Sequence, residues 1–225
     1  MFSNYLEEVI HFNSLDKKSR LIFIKDNLLR LGINPVLQPF NSCFGRGVNI
    51  YAEIGNKSKK IVLSAHYDGA SMFDNNAAVI SLLELSEKIL QQELSFTIIL
   101  LFTDQEETYQ QGSSYFIKEY TKNSIIKNIN IDGFGIGDEI FTVGSLIKNT
   151  NTDNDLFLTD KDEFTKHGVP SISYFSAFKE DFDMAKKSGQ VFSTFEKYNS
   201  ESFFINRFNK NNLQKHIDNL WKIIK

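Results

Sequence analysis

A single cysteine, Cys43, in 225 residues leaves no room for an intrachain disulfide or a thiolate metal cluster. That usage suits a reducing compartment, and any metal must be held by nitrogen and oxygen. Charge of one sign is not concentrated either: 25 Lys plus Arg stand against 28 Asp plus Glu, a net charge of -3, with no block of like charge. Neither a nucleic-acid groove nor a polybasic membrane patch is expected, and a short peptide or aminoacyl partner fits better. Residues 1–12 carry Glu7 and Glu8 and no basic leader ahead of a long apolar run, so no secretory signal is expected and the expected location is cytoplasmic. Three prolines and no repeat, low-complexity tract or linker accompany 41% hydrophobic residues. This is the composition of one domain, 1–225, with a sizeable core.

What is present is an alternation of strand-like apolar runs with amphipathic helices, the pattern of an α/β layer fold. Asp16 is placed to cap a helix whose Leu21, Ile24, Leu28 and Leu31 share a face, with Gly32 and Pro35 as the stop. Residues 48–54 and 60–65 read as strands joined by a Gly55-Asn56 turn, the second delivering His66 at its C-terminal end. A helix is expected over 75–92, with Glu84, Glu87, Lys88 and Gln91 as a polar stripe and Val79, Leu82, Leu83 and Leu90 packed inward. Residues 96–103 form an almost continuous apolar run, as in a strand buried on both faces, and lead into Glu106 and Glu107. A strand over 125–131 ends at Asp132, another lies around 169–175, and a closing helix capped near Asn209 carries Leu213, Ile217, Leu220 and Ile224 on one side. Three parallel-type strands thus each release an imidazole or carboxylate at the end where α/β sheets place chemistry.

A hydrolytic zinc needs three protein ligands, an open position, and a carboxylate outside the metal shell to take a proton from water. His66, Asp74 and Asp132 are of the right types for the ligands. Adjacent glutamates after a buried strand point in different directions, so Glu107 can face a metal while Glu106 faces water and substrate as general base. Asp68, two residues after His66, is placed to accept the other ring proton of the imidazole. Each feature has an ordinary alternative: His-x-Asp recurs by chance, Asp74 before a helix would serve as a cap, Glu-Glu after a strand is commonly a solvated loop, and Asp-Gly is a common turn. Their arrival in one ordered series at element boundaries is what points to a metal site. Tyr109, Phe134 and Phe203 are candidates for lining a pocket, set against core packing in a chain with 21 Phe.

The stretches VLSAHYDG, DNNAAVISLLELSEKIL, FTIILLFTDQEETYQQGSSYF and NINIDGFG resemble, in order and spacing, the metal-binding blocks of the co-catalytic zinc aminopeptidases related to bacterial leucyl aminopeptidase, glutamate carboxypeptidase and glutaminyl cyclase. DKDEFTKHGVP is similar to a later block of that family. The resemblance implies a three-layer fold, a mixed but mostly parallel sheet between helices. It also implies His66 and Asp132 on a first zinc, Asp74 bridging, Glu107 on a second zinc, and Glu106 as general base.

Departures from the family pattern carry their own expectations. A family segment Tyr-His-Thr-x-x-Asp-Thr supplies the last zinc ligand, and here it reads Tyr198-Asn199-Ser200-Glu201-Ser202-Phe203-Phe204. Asn199 stands at the histidine and Phe203 at the aspartate; a neutral amide oxygen is a weak zinc ligand, so one ion and a weak or abandoned second site are expected. His11, His167 and His216 are read as non-ligands, surface imidazoles being the commoner case. Lys161 stands where the family often has a histidine, from where its ammonium would enter the cleft. Residues 147–155, containing KNTNTDND, read as a tight polar loop where the family has a further helix and strand. Three activities remain open: a zinc-dependent aminopeptidase, a one-zinc acyl transferase like glutaminyl cyclase, and a non-catalytic binding module. Retention of Glu106, which has no obvious structural use, argues against the third; the second is weakened because those enzymes keep the second-type ligands whereas here the first-type set survives, and the first is favoured.

Overall fold

The apolar runs of the sequence become the middle of a sheet. A computed structural model describes residues 4–120, 124–146, 158–188 and 195–225. Its strands are β1 (Val36–Ser42), β2 (Gly45–Ile54), β3 (Lys60–His66), β4 (Thr97–Thr103), β5 (Ile125–Ile131), β6 (Glu139–Ser145) and β7 (Ser171–Ala177). The α-helices among the described residues are α1 (Tyr5–Ser14), α2 (Lys17–Arg30), α3 (Ala77–Leu90), α4 (Gln111–Glu119), α5 (Asp160–Lys166), α6 (Lys179–Ser188), α7 (Glu201–Arg207) and α8 (Lys210–Ile224).

The strands lie in the order β1-β2-β4-β3-β5-β7-β6. The four central ones run parallel, while β1, β2 and β6 pair antiparallel at the flanks. Alternation along the central strands sends side chains to two separate cores. Ile61 and Leu63 of β3 with Ile98, Leu100 and Phe102 of β4 join the core built with α1, α2, α3 and α8, whereas Val62, Ile99 and Leu101 pack against Phe116 of α4 and Phe164 of α5. A three-layer α/β architecture with a mixed, centrally parallel sheet results, as the sequence pattern and the resemblance imply. No helix among the described residues is long and apolar enough to cross a membrane.

Several local expectations change. Strands β2 and β3 are not joined as a hairpin: β4 inserts between them, because its fully buried apolar run takes the centre of the sheet and β2 pairs with its other edge. The helix expected over 75–92 starts at Ala77, and Leu90 at its end is 42% exposed instead of packed inward. Ahead of it, Met72–Asn76 forms a π-turn with Asn76 N–H bonded to Ser71 O at 3.1 Å. The strand expected around 169–175 is β7, starting after Pro170, and β6 is an edge strand not anticipated from the sequence. The polar stretch 147–155 lies outside the described residues.

The order of the central strands positions the chemistry. From β3 the chain passes through α3 to β4 on one side, then through α4 to β5 on the other. The direction of winding reverses at this point, the place at the C-terminal strand ends where α/β sheets put ligand sites, and His66, the loop after Thr103 and Asp132 all lie there.

Candidate metal centre

His66 is the last residue of β3, and its ring is 1% exposed. The two ring nitrogens face different groups. Nδ1 lies 3.4 Å from Asp68 Oδ1 and 4.0 Å from Glu106 Oε2, whereas Nε2 lies 3.7 Å from Asp74 Oδ2 and 3.9 Å from Asp132 Oδ1. Nε2 is buried with no hydrogen-bond partner. One donor atom each from His66, Asp74 and Asp132 lies within 4.8 Å of the others.

Asp74 reaches this position through the π-turn, a distortion of the helix that recurs at functional sites. Ser71, and not Asp74, caps the turn, its Oγ accepting from the Asp74 N–H at 3.0 Å. Asn75 fastens the turn to the β3 exit by donating to Asp68 O and accepting from Ser71 N–H at 3.3 Å. The loop after β5 is stitched to the same turn: Gly133 N–H donates to Asp74 O at 2.9 Å and Phe134 N–H to Phe73 O at 2.8 Å. Two backbone bonds thus fix the separation of Asp74 from Asp132.

Glu106 and Glu107 follow β4 on a loop where Gln105, Tyr109 and Gln110 all have positive φ, at 58°, 65° and 51°. Such left-handed non-glycine residues carry strain that surrounding structure must hold, and they concentrate at functional sites. Ser42 donates to Gln105 Oε1 at 2.6 Å, tying the loop to the β1–β2 turn. Glu106 is buried, and Gln110 Nε2 donates to its Oε1 at 3.3 Å. Glu107 is exposed; its N–H donates to Asp68 Oδ2 at 3.3 Å, and partial burial of its carboxyl, followed by the charge of Asp74, raises that group above the ordinary range. Gly69 (φ +80°) makes room for it, since a Cβ there would sit 2.7 Å from Glu107 Oε1.

The electrostatics are those of crowded acidic groups. Burial, followed by the charges of Asp132, Asp160 and Asp74 and opposed by His66, pushes Glu106 up to about 9. Burial, with Asp74 and Asp160, raises Asp132 to about 8. Burial alone would lower the His66 imidazole, but its bond to Asp68 and the charges of Glu106, Asp74 and Asp132 raise it well above the usual range. Asp68 behaves oppositely: burial would raise it, but the bond and charge of His66 and the N–H groups of Glu106 and Glu107 hold it below the ordinary carboxylate range. An unpartnered imidazole nitrogen facing two carboxylates too distant to bond it, within a set that repels itself, fits a divalent ion with nitrogen and oxygen ligands.

Asn199 ends the 3₁₀ turn Glu196–Asn199 and is exposed. Its Oδ1 accepts from Ser71 Oγ at 2.7 Å, which brings it to the π-turn that carries Asp74. The preceding Tyr198 packs edge-on against Phe73 at 4.8 Å, and Phe203 stacks on Tyr198 at 5.3 Å. Of the other pocket candidates, Tyr109 is 73% exposed and Phe134 is fully buried.

The remaining polar residues depart from the sequence reading in two places. Lys161 does not enter the cleft; it is buried in the first turn of α5, with Nζ 2.6 Å from Asp162 Oδ1. His216 is not a surface imidazole but a buried one packed on Phe134, because the inward face of α8 includes it. His167 Nδ1 lies 2.8 Å from Glu163 O at the end of α5, and His11 packs on Phe23; neither belongs to the cluster.

Sequence reasoning missed Asp160 and Arg20. Asp160 is fully buried, accepts from Thr103 Oγ1, and adds its charge to Glu106 and Asp132; in an acidic helix start no spacing marks it out. Arg20 of α2 is 3% exposed and donates only to backbone carbonyls, a role without a sequence signal.

A buried imidazole and two carboxylates converge near parallel strand ends, with further carboxylates alongside, a donor set that could hold a metal ion on an α/β sheet. The chain belongs to peptidase family M28, whose sequence model matches residues 49–223. Among curated proteins none matches the sequence significantly. Among solved structures the fold is similar to a glutaminyl cyclase of Fimbriiglobus ruber, with a TM-score of 0.73 at 13% identity, covering 96% of this chain and 92% of that one. It is similar also to a Zn-dependent exopeptidase of Parabacteroides distasonis, with a TM-score of 0.73 at 14% identity over 98% and 96% of the two chains. A third is the Legionella pneumophila LapA aminopeptidase, with a TM-score of 0.62 at 15% identity over 78% and 61%. Membership of the family implies zinc and a peptide substrate.

Proposed function

We propose that this chain is a zinc-dependent aminopeptidase that removes the N-terminal residue of short peptides, with one ion held firmly and a second site weakened by Asn199. The observation that carries the reading is the buried, unpartnered Nε2 of His66 facing Asp74 and Asp132. These three residues are the ligands, with Glu107 beside Asp74 on the side of the second site. Bound zinc supplies Lewis acidity toward the peptide carbonyl and lowers the pKa of a water.

The protein's own groups handle the proton. Glu106, buried beside the His66 ring and near enough to Asp132 and Asp74 for their charges to act on it, takes the proton of the attacking water and returns it to the departing amine. Asp68 accepts the Nδ1 proton of His66, which fixes the tautomer and leaves Nε2 as the ligand atom. Asp160 and Asp132 raise the proton affinity of Glu106, and a cation among them offsets that effect.

The test couples metal analysis to one substitution. Purified chain is expected to carry zinc, and Glu106→Gln to retain it while losing about 10²–10⁴-fold in turnover of aminoacyl reporters. Undiminished turnover in that variant removes Glu106 from the role, and absence of metal and activity after zinc addition leaves a binding module. The similarity in fold to glutaminyl cyclases makes ammonia loss from a glutaminyl peptide the competing reaction. Mass spectrometry separates that product from the hydrolysed one.

A further inference from the structure

The exit of β3 carries three consecutive backbone carbonyls, those of Tyr67, Asp68 and Gly69, and all of them are engaged from outside the loop. Asn75 Nδ2 donates to Asp68 O. Arg20 takes the other two, its Nη1 donating to Gly69 O and, at 3.3 Å, to Tyr67 O. The same guanidinium reaches back to the end of α1, with Nε donating to Phe12 O at 3.2 Å and Nη2 to Asn13 O at 3.1 Å, and it lies 5.3 Å from the centroid of the Phe12 ring. Among the described residues Arg20 forms no carboxylate ion pair, so its planar fork of donors is spent on carbonyls. Only an arginine presents five donors in one rigid plane, enough to bind two carbonyls on each of two segments.

This placement bears on the cluster through Asp68. That residue lies between the two carbonyls Arg20 holds, and its carboxylate lies 3.4 Å from His66 Nδ1 and accepts from Glu107 N–H at 3.3 Å. If the loop rotates, Asp68 leaves Nδ1, the ring loses its orientation, and Nε2 no longer faces Asp74 and Asp132. Arg20 precedes residues 49–223, the part of the chain that matches the family. The two N-terminal helices therefore do more than cover the sheet.

We propose that Arg20 is a positioning residue for the metal centre, setting zinc affinity by locking the Tyr67–Gly69 backbone that aims Asp68 at His66. The inference rests on the reading of His66 as a ligand, and the test separates the two. Zinc dissociation constants of the full chain are measured by competition with a chromophoric chelator, together with the cobalt(II) absorption spectrum, without recourse to activity. Arg20→Met is expected to lose about 10–100-fold in zinc affinity, the range for residues that orient ligands. Arg20→Lys, which keeps the charge but not the fork, falls between Arg20→Met and the native chain, and carries the test where Arg20→Met does not fold. Leu28→Ala, a buried substitution on the same helix away from the loop, lowers the melting temperature but leaves zinc affinity unchanged. Native affinity in a folded Arg20→Met or Arg20→Lys, or an equal loss in Leu28→Ala, overturns the positioning role alone. A native chain that takes no zinc overturns the reading of the site, and this role with it.

Discussion

Ser71 joins the two halves of the centre: its hydroxyl donates to Asn199 Oδ1 at 2.7 Å while accepting from the Asp74 N–H at 3.0 Å. The amide oxygen of Asn199, the atom with which it would bind zinc, is therefore already engaged by a protein donor. A neutral amide competes poorly with imidazole for zinc in any case. Asn199→His is expected to raise the bound zinc from one ion to two per chain, read by elemental analysis after dialysis at matched free zinc. The same single ion in both proteins would mean that this position is not where a second ligand is lost.

The parts of this arrangement that were legible in the sequence are those written in hydrophobic pattern. The apolar run 96–103 became β4, and 60–65 became β3, with His66 as its last residue, because a strand buried on both faces has few alternative compositions. Four of the acidic positions named from the sequence, Asp68, Asp74, Glu106 and Asp132, surround the imidazole of the fifth named position, His66. What stayed hidden depends on backbone atoms or on tertiary choice. The π-turn before α3 has the same apolar periodicity as a helix begun at Asn75, so the pattern does not distinguish them. The partner of β2 depends on which strand wins the centre of the sheet. Arg20 acts on carbonyls, which every residue carries. His216 falls on the inward side of α8, where a polar residue breaks the apolar stripe without announcing whether it is buried.

Asp68 holds both His66 and the Glu107 N–H, so its charge and its two oxygens are separable in effect. Asp68→Asn keeps the size and one acceptor but lacks the negative charge that stabilises the Nδ1–H of a ligating ring. We expect zinc affinity or kcat to fall about 10–100-fold with KM little changed, since Asp68 lies on the far side of His66 from the ligand atoms. A selective rise in KM would place it in contact with substrate instead.

Zinc removal is expected to make stability fall as pH rises. Glu106 and Asp132 in the folded chain lie at about 9 and about 8, far above their unfolded values, and His66 is also raised. The folded state therefore holds more protons than the unfolded one through the neutral range, and stability decreases with pH wherever that is so. Zinc displaces those protons and adds its own binding free energy to folding. Melting temperatures of zinc-free chain should decline from pH 5 to pH 8, and saturating zinc should raise them most at the upper end. A melting temperature of the zinc-free chain that climbs over that interval would contradict the crowded-carboxylate account.

His216 gives the opposite sign in a different window. Burial lowers its imidazole below the usual value, as does Lys215, while Asp138 and Glu139 partly oppose them. Above pH 6.5 the ring is neutral in both folded and unfolded chains and adds no pH dependence. As pH falls below 6.5 the unfolded chain takes up a proton that the folded chain refuses, and stability is lost until the folded pKa is reached, at up to about tenfold in the folding equilibrium per pH unit. His216→Leu removes this titration and leaves an apolar group against Phe134, 6.0 Å away in the native packing. Denaturant unfolding at pH 6.5 and pH 5, each with saturating zinc, should show a smaller loss for the variant than for the native chain. Equal losses would place a charged or solvated His216 in the folded protein, and the ring would then have to leave its buried place against Phe134 to reach water.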